Sequence, residues 1–211
     1  MRIAAGLHPH NAKHWGPEIE ERLRAMLHDK RTSCLGEIGL DYHYDLSPRE
    51  DQERAFRAQV RIAKEAGLPV MLHVREAHDD ALAIMRDEGW PEAGCILHCF
   101  TNDWETLEPW IEAGCSATFG GALTFNNGDA IRDAAARVPE MQLMVETDSP
   151  YMAPKPLRGE VCEPAMVVFT ESALADVRGA EGEERLALFR RVLTNAESML
   201  NRPPTAWQLG K

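Results

Sequence analysis

Apolar and polar positions along the chain follow two spacings, one of short unbroken apolar runs and one of apolar residues recurring every three or four positions. Four of the runs end in a residue able to bind a divalent metal: Cys34-Leu35-Gly36-Glu37, Val70-Met71-Leu72-His73, Cys95-Ile96-Leu97-His98 and Leu143-Met144-Val145-Glu146-Thr147-Asp148. Two more strand-like runs cover residues 2–7 and Cys115-Ser-Ala-Thr-Phe119. The helical spacing predicts a helix entered at Pro17, with Ile19, Leu23, Met26 and Leu27 on one face. A longer helix over residues 48–66 turns Phe56, Val60 and Ala63 inward and stops at Gly67. Further helices are expected over 76–87, 103–113 and 128–137. Beyond a proline-rich loop at 149–164 come two more, the second with Leu186, Phe189, Leu193, Ala196 and Leu200 on one face. There is no low-complexity segment and no linker, so residues 1–211 read as a single domain of the α/β class. Strands alternating with helices predict a parallel sheet of the TIM-barrel type.

In such a barrel the strand ends gather at one mouth, where active sites form. A lone histidine at a strand end is most often a hydrogen-bonded structural residue. Here the pattern repeats. Glu37, His73, His98 and Asp148 are separated by 36, 25 and 50 residues, close to one, one and two of the roughly 30-residue βα units. The last interval leaves room for the ligand-free strand ending at Phe119. One carboxylate and two imidazoles suit Zn²⁺, Mn²⁺ or a similar ion. The second carboxylate, Asp148, is able either to bind metal or to take a proton from water.

Composition narrows the class. No apolar run approaches the ~18 residues of a membrane span, and the short apolar start before His8-Pro9-His10 does not form a signal peptide. Five cysteines, Cys34, Cys95, Cys99, Cys115 and Cys162, are odd in number and mostly strand-borne. They read as reduced thiols of a cytoplasmic protein. The formal net charge of −11 excludes a general nucleic-acid coating protein, whose affinity comes from neutralising phosphates. It does not exclude a nuclease, because a metal centre and a few arginines concentrate positive charge where one phosphate must sit.

Five ordered segments, Gly6-Leu-His-Pro-His10, Gly36-Glu-Ile-Gly-Leu-Asp-Tyr42, Leu68-Pro-Val-Met-Leu-His-Val-Arg75, Ile96-Leu-His-Cys-Phe-Thr101 and Glu146-Thr-Asp-Ser-Pro-Tyr151, resemble the successive signatures of the TatD family of metal-dependent deoxyribonucleases. The resemblance implies a (β/α)₈ barrel of the amidohydrolase type and a centre of one or two divalent ions, Mg²⁺, Mn²⁺ or Zn²⁺. It implies hydrolysis of phosphodiester bonds, often as a 3′→5′ exonuclease on single-stranded DNA or 3′ ends, and no membrane or protein partner. It also carries an alternative ester substrate, D-aminoacyl-tRNA.

By the same resemblance, Glu37, His73 and His98 hold metal, while Asp148 contacts metal and accepts the proton of the attacking water as the catalytic base. Arg75 and Arg158 are candidate phosphate-binding residues, and Arg158 is alternatively a loop anchor. Family members begin with a His-x-His strand and about two βα units before the Gly-x-His-Pro motif, which starts here at Gly6. The barrel is therefore expected to lack its first two βα units, and a catalytically impaired short form serving as a metal- or partner-binding module is the alternative to an active nuclease. His8 is read as contacting substrate or a ligand, not as replacing the absent pair. Asp41 and Tyr42 stand open between shaping the rim, stacking a base and simple loop packing. The family's Asn before Glu-Pro is replaced here by Cys162, which puts the geometry of that loop in question.

Overall fold

The computed structural model describes residues 1–210. Among them lie six strands, β1 (Ile3–Ala5), β2 (Thr32–Asp41), β3 (Val70–Arg75), β4 (Cys95–Leu97), β5 (Ser116–Phe119) and β6 (Leu143–Val145). The helices are α1 (Pro17–Leu27), α2 (Arg49–Ala66), α3 (His78–Glu88), α4 (Trp104–Glu112), α5 (Asp129–Arg137), α6 (Val167–Val177) and α7 (Gly182–Leu200). The strands follow chain order in one parallel sheet, β1-β2-β3-β4-β5-β6, as a succession of βα units requires. Two compact units make up the chain, one of Met1–Leu97 with the segment from Ser198, the other of His98–Glu197.

In the first unit, α2 lays Ala55, Phe56, Val60, Ile62, Ala63 and Ala66 into the core, all essentially inaccessible to solvent. Gly67 ends the helix in the left-handed conformation at φ 65°. The same helix turns two buried glutamines inward, seven residues apart, and each acts as a surrogate peptide group. Gln52 accepts from the Asp41 N–H at 2.8 Å and donates to the Asp41 carbonyl at 3.2 Å. Gln59 treats Leu7 likewise, at 2.6 and 3.1 Å. The backbone beside His8 and at the end of β2 is thereby fixed where no neighbouring strand supplies the bonds. A third buried amide, Gln208, donates to the carbonyls of Leu27 and Thr32, both at 2.9 Å, and ties the C-terminal segment to this unit.

The sequence places Glu37 at the end of its strand, but β2 runs on to Asp41. Its pairing with β3 slips between Leu35, opposite Val70, and Ile38, opposite Leu72, so β2 carries one extra residue, a bulge around Glu37. Close approach to β3 is what demands glycine on either side. A Cβ at Gly36 would lie 2.6 Å from the Met71 Cβ, and one at Gly39, at φ 141°, would lie 2.1 Å from the His73 carbonyl oxygen. Bulges re-aim side chains at functional sites. His73 also lies within its strand and not at its tip.

In the second unit the core is built around Trp110, Phe119, Leu143 and Leu174. Asn195 of α7 donates to the carbonyls of Glu140 and Leu143, at 2.6 and 2.8 Å, and Gln142 to those of Ile111 and Cys115, both at 2.8 Å. The inward stripe of α7 is Leu188, Val192 and Asn195, while Leu186 and Leu193 are exposed. The face expected from the apolar residues alone, of which Phe189, Ala196 and Leu200 are half-buried, is thus displaced, because a buried amide that satisfies the carbonyls leading into β6 outranks an extra leucine. Met26 of α1 is likewise exposed. All five cysteines are free thiols, with Cys162 packed among Ala153 and Met166 as an apolar residue.

Candidate metal-ligating groups

In the first unit one buried carboxylate orients two of the imidazoles. Asp41 is fully buried. Burial by itself raises its pKa, but hydrogen bonds from the Tyr44 N–H and from the His10 and His73 rings outweigh that and hold it at about 2. An ionised carboxylate only accepts. Its Oδ2 lies 2.9 Å from both His10 Nε2 and His73 Nε2, so both rings carry their proton on Nε2. The other ring nitrogen of His73, Nδ1, faces Glu37 Oε2 at 3.8 Å. That is beyond hydrogen-bond reach and near the roughly 3.4 Å between two ligands each about 2.1 Å from a tetrahedral ion.

His8 is different. Its Nδ1 accepts the His10 backbone N–H at 3.2 Å, which leaves the proton on Nε2, 3.9 Å from Glu37 Oε2. The nitrogen atoms of His8, His10 and His73 all lie within 4.8 Å of one another. His73 and His8 both face the Glu37 carboxylate. His8 presents an N–H donor, the state suited to an anion.

The second unit repeats the arrangement with different residues. Thr118 Oγ accepts the Cys99 N–H at 2.9 Å, so its own proton goes to Glu146 Oε2. The same oxygen lies 2.7 Å from His98 Nδ1. His98 Nδ1 is thus held by Glu146, and its Nε2 faces Asp148 Oδ1 at 3.6 Å. Here β6 ends at Val145, and the Glu146 N–H donates to the Phe119 carbonyl at 3.1 Å before the chain leaves the sheet. The other carboxylate oxygen, Glu146 Oε1, is buried with no hydrogen-bond partner. An unsatisfied buried anionic oxygen is costly, and a nearby cation is what offsets it. The donor set and this orphaned oxygen together fit a divalent ion.

Of the residues expected from sequence, Glu37 and His73 stand together with His8, and His98 with Asp148. Arg158 lies over the Phe125 ring, its Cζ 3.7 Å from the centroid, a contact of the kind a loop anchor makes. Asp41, His10 and Glu146 were the residues not assigned to the site. A signal existed for Glu146, two positions before Asp148 and so on the same side of an extended chain. None existed for the Asp41–His10 contact, which spans 31 residues.

An imidazole set by one carboxylate and facing another, found twice in a parallel α/β barrel fold, is the signature of a metal-dependent hydrolase. The chain belongs to the TatD family: the TatD related DNase model matches residues 1–201. It is 40% identical over 182 residues to a protein named uncharacterized metal-dependent hydrolase YcfH of Escherichia coli K12, covering 86% of this chain and 68% of that one. It is 36% identical over 202 residues to the 3'-5' ssDNA/RNA exonuclease TatD of Pantoea vagans, covering 92% and 76% respectively. The crystal structure of YJJV, a TatD homolog from E. coli K12, superposes with a TM-score of 0.87 at 27% identity, covering 96% of this chain and 77% of that chain. The fold is thus the TatD-like TIM barrel. Among the described residues no helix is long and apolar enough to cross a membrane.

Proposed function

We propose that this chain carries a metal-dependent phosphodiester hydrolase activity, acting on single-stranded nucleic acid from the 3′ end. The observation that carries it is a pair of imidazoles, His73 and His98, each hydrogen-bonded to one carboxylate through one ring nitrogen and facing a second carboxylate through the other. Glu37 and His73 would hold metal in the first unit, His98 and Asp148 in the second. When bound, a divalent ion supplies the Lewis acidity that makes water a nucleophile at neutral pH and polarises a phosphoryl oxygen.

The chain's own residues do the rest. Asp41 and Glu146 each hold a ring so that its other nitrogen points at the partner carboxylate. Asp148, on the exposed side of His98, takes the proton of the attacking water. His8 Nε2–H donates to a phosphate oxygen. The exonuclease name carried by the Pantoea relative supports this substrate.

The reading is tested by incubating the chain with Mg²⁺, Mn²⁺ or Zn²⁺ and a 3′-labelled single-stranded oligonucleotide. Release of mononucleotides that stops on chelation is expected, with Asp148→Asn lowering kcat by about 10²–10⁴ and KM little changed. Full turnover by Asp148→Asn, or release indifferent to chelator, overturns it. Hydrolysis of a D-aminoacyl-tRNA ester without nucleotide release would move the substrate to that ester.

A further inference from the structure

The loop that leaves β2 after Asp41 is held from beneath. Asp41 Oδ1 accepts the N–H groups of His43 and Tyr44 at 3.0 and 2.8 Å. Ser47, itself buried, donates to the His10 carbonyl at 2.8 Å and receives the Lys13 N–H at 3.1 Å. Gln52 donates to the Ser47 carbonyl at 2.9 Å. One carboxylate thus serves two purposes: Oδ2 orients His10 and His73, and Oδ1 fixes the loop.

What the loop presents is an aromatic ring. Tyr44 is 53% exposed, although a tyrosine in a loop this tightly bonded is free of any need to face water. Its ring meets His10 edge-on with centroids 5.4 Å apart, and His10 in turn lies 6.1 Å from the His73 ring. The guanidinium of Arg75, the exposed last residue of β3, sits 4.8 Å from the Tyr44 centroid. Arg75 makes no ion pair among the described residues. Its acidic neighbour Glu76, an obvious candidate, is taken by His43 at 2.7 Å. An exposed ring therefore carries over it a guanidinium that has no ion pair, one imidazole away from His73. In a protein of net charge −11, an arginine left without a carboxylate is positioned for another anion.

We propose that Tyr44 and Arg75 form a single-strand nucleic-acid subsite, in which one base stacks on the Tyr44 ring and Arg75 grips the flanking phosphate. The proposal rests on the hydrolase reading above and adds to it how the strand is held. Aromatic stacking accepts any base, since each has a π face. The guanidinium fork matches two phosphate oxygens. A base inside a duplex has both faces covered by its neighbours and must be extruded to reach such a ring, so the subsite selects unpaired strand.

The test uses the whole chain in chelator, where no cleavage interferes. Fluorescence anisotropy reads binding of a labelled oligothymidylate, the same strand with abasic residues, and a duplex, at several salt concentrations. Tyr44→Ala is expected to weaken oligothymidylate binding by about tenfold, Tyr44→Phe to restore it, and the abasic strand to bind the unaltered chain and Tyr44→Ala alike. Arg75→Gln is expected to lower the slope of log K against log salt by about 0.7, the loss of one single-strand phosphate contact.

Equal binding of oligothymidylate by the unaltered chain and Tyr44→Ala overturns the proposal. So does a loss that persists on the abasic strand, which would show that Tyr44 only supports its loop, and so does tighter binding of duplex. Hydrolysis of bis(4-nitrophenyl) phosphate by the unaltered chain with Mn²⁺ is measured separately. Its absence beside intact Tyr44-dependent binding defeats the hydrolase reading alone, and its presence without such binding defeats the subsite alone.

Discussion

Two carboxylates do the same work in the two units, and they do it under different conditions. Asp41, fully buried, serves His10, His73 and two backbone N–H groups, so every lone pair it has is used. Glu146 serves one imidazole and one hydroxyl through a single oxygen and leaves its other oxygen buried and unpartnered. In the first, protein groups occupy both oxygens; in the second, one oxygen has no protein partner. The lesson is that an orienting carboxylate is able to double as a structural rivet, as Asp41 does, or to hold its imidazole through one oxygen alone, as Glu146 does.

The comparison is broken most forcefully at the imidazoles. Calorimetric titration with Zn²⁺ or Mn²⁺ is expected to show His73→Ala and His98→Ala each losing more than about a hundredfold in affinity, since direct ligands matter more than their supports. Undiminished binding by either variant removes that ring from the ligand set.

The supports come next. Asp41→Asn and Glu146→Gln should each lower metal affinity by about 10- to 100-fold, because an amide NH₂ group pointed at a ring N–H forces the other tautomer or a flip. They should part in thermal unfolding. Asp41→Asn is expected to cost about 2–3 kcal/mol, through its shared bonds in a dry environment, whereas Glu146→Gln should be near neutral or stabilising in metal-free protein, where it removes an unsatisfied charge. Equal stability losses in both would erase the distinction.

A smaller effect is expected at Gln52. Gln52→Ala strands the Asp41 N–H and carbonyl, at about 1–3 kcal/mol, and should loosen the loop bearing Tyr44, visible as faster amide exchange at residues 43–47. Unchanged exchange there would mean that Asp41 alone holds the loop.

The smallest effect belongs to a carboxylate of the first unit that serves no imidazole. Glu88 pairs with Arg61 at 2.7 Å and Arg57 at 3.2 Å, and the Arg61 hydrogen bond, ahead of opposing desolvation, holds its pKa below the usual 4.5. A lowered folded pKa means that the contribution is present above about pH 4.5 and fades as pH falls through the folded value. Glu88→Gln should therefore lower stability by under about 1 kcal/mol at pH 7, and the difference from the unaltered chain should shrink in denaturant titrations carried toward pH 3 or so. A difference that grows in acid would reverse the assignment.

Apolar runs ending in Glu37, His73, His98 and Asp148 were legible in the sequence because strand periodicity and the βα repeat length are local properties. The TatD resemblance rested on motifs equally local. So did α2, where Phe56, Val60 and Ala63 point inward as their spacing requires. What resisted was whatever depends on pairs distant in sequence. The bulge that places Glu37 arises only when β2 meets Met71 and His73 of β3. The inward face of α7 is chosen by the carbonyls of Glu140 and Leu143, which need Asn195 more than the core needs Leu193. The setting of each imidazole follows from contacts made across 31, 32 and 48 residues. Sequence alone thus determined the succession of strands and helices and named candidate ligands. Tertiary structure alone decided which carboxylate each imidazole meets, because that partner lies across the fold and not among neighbours along the chain.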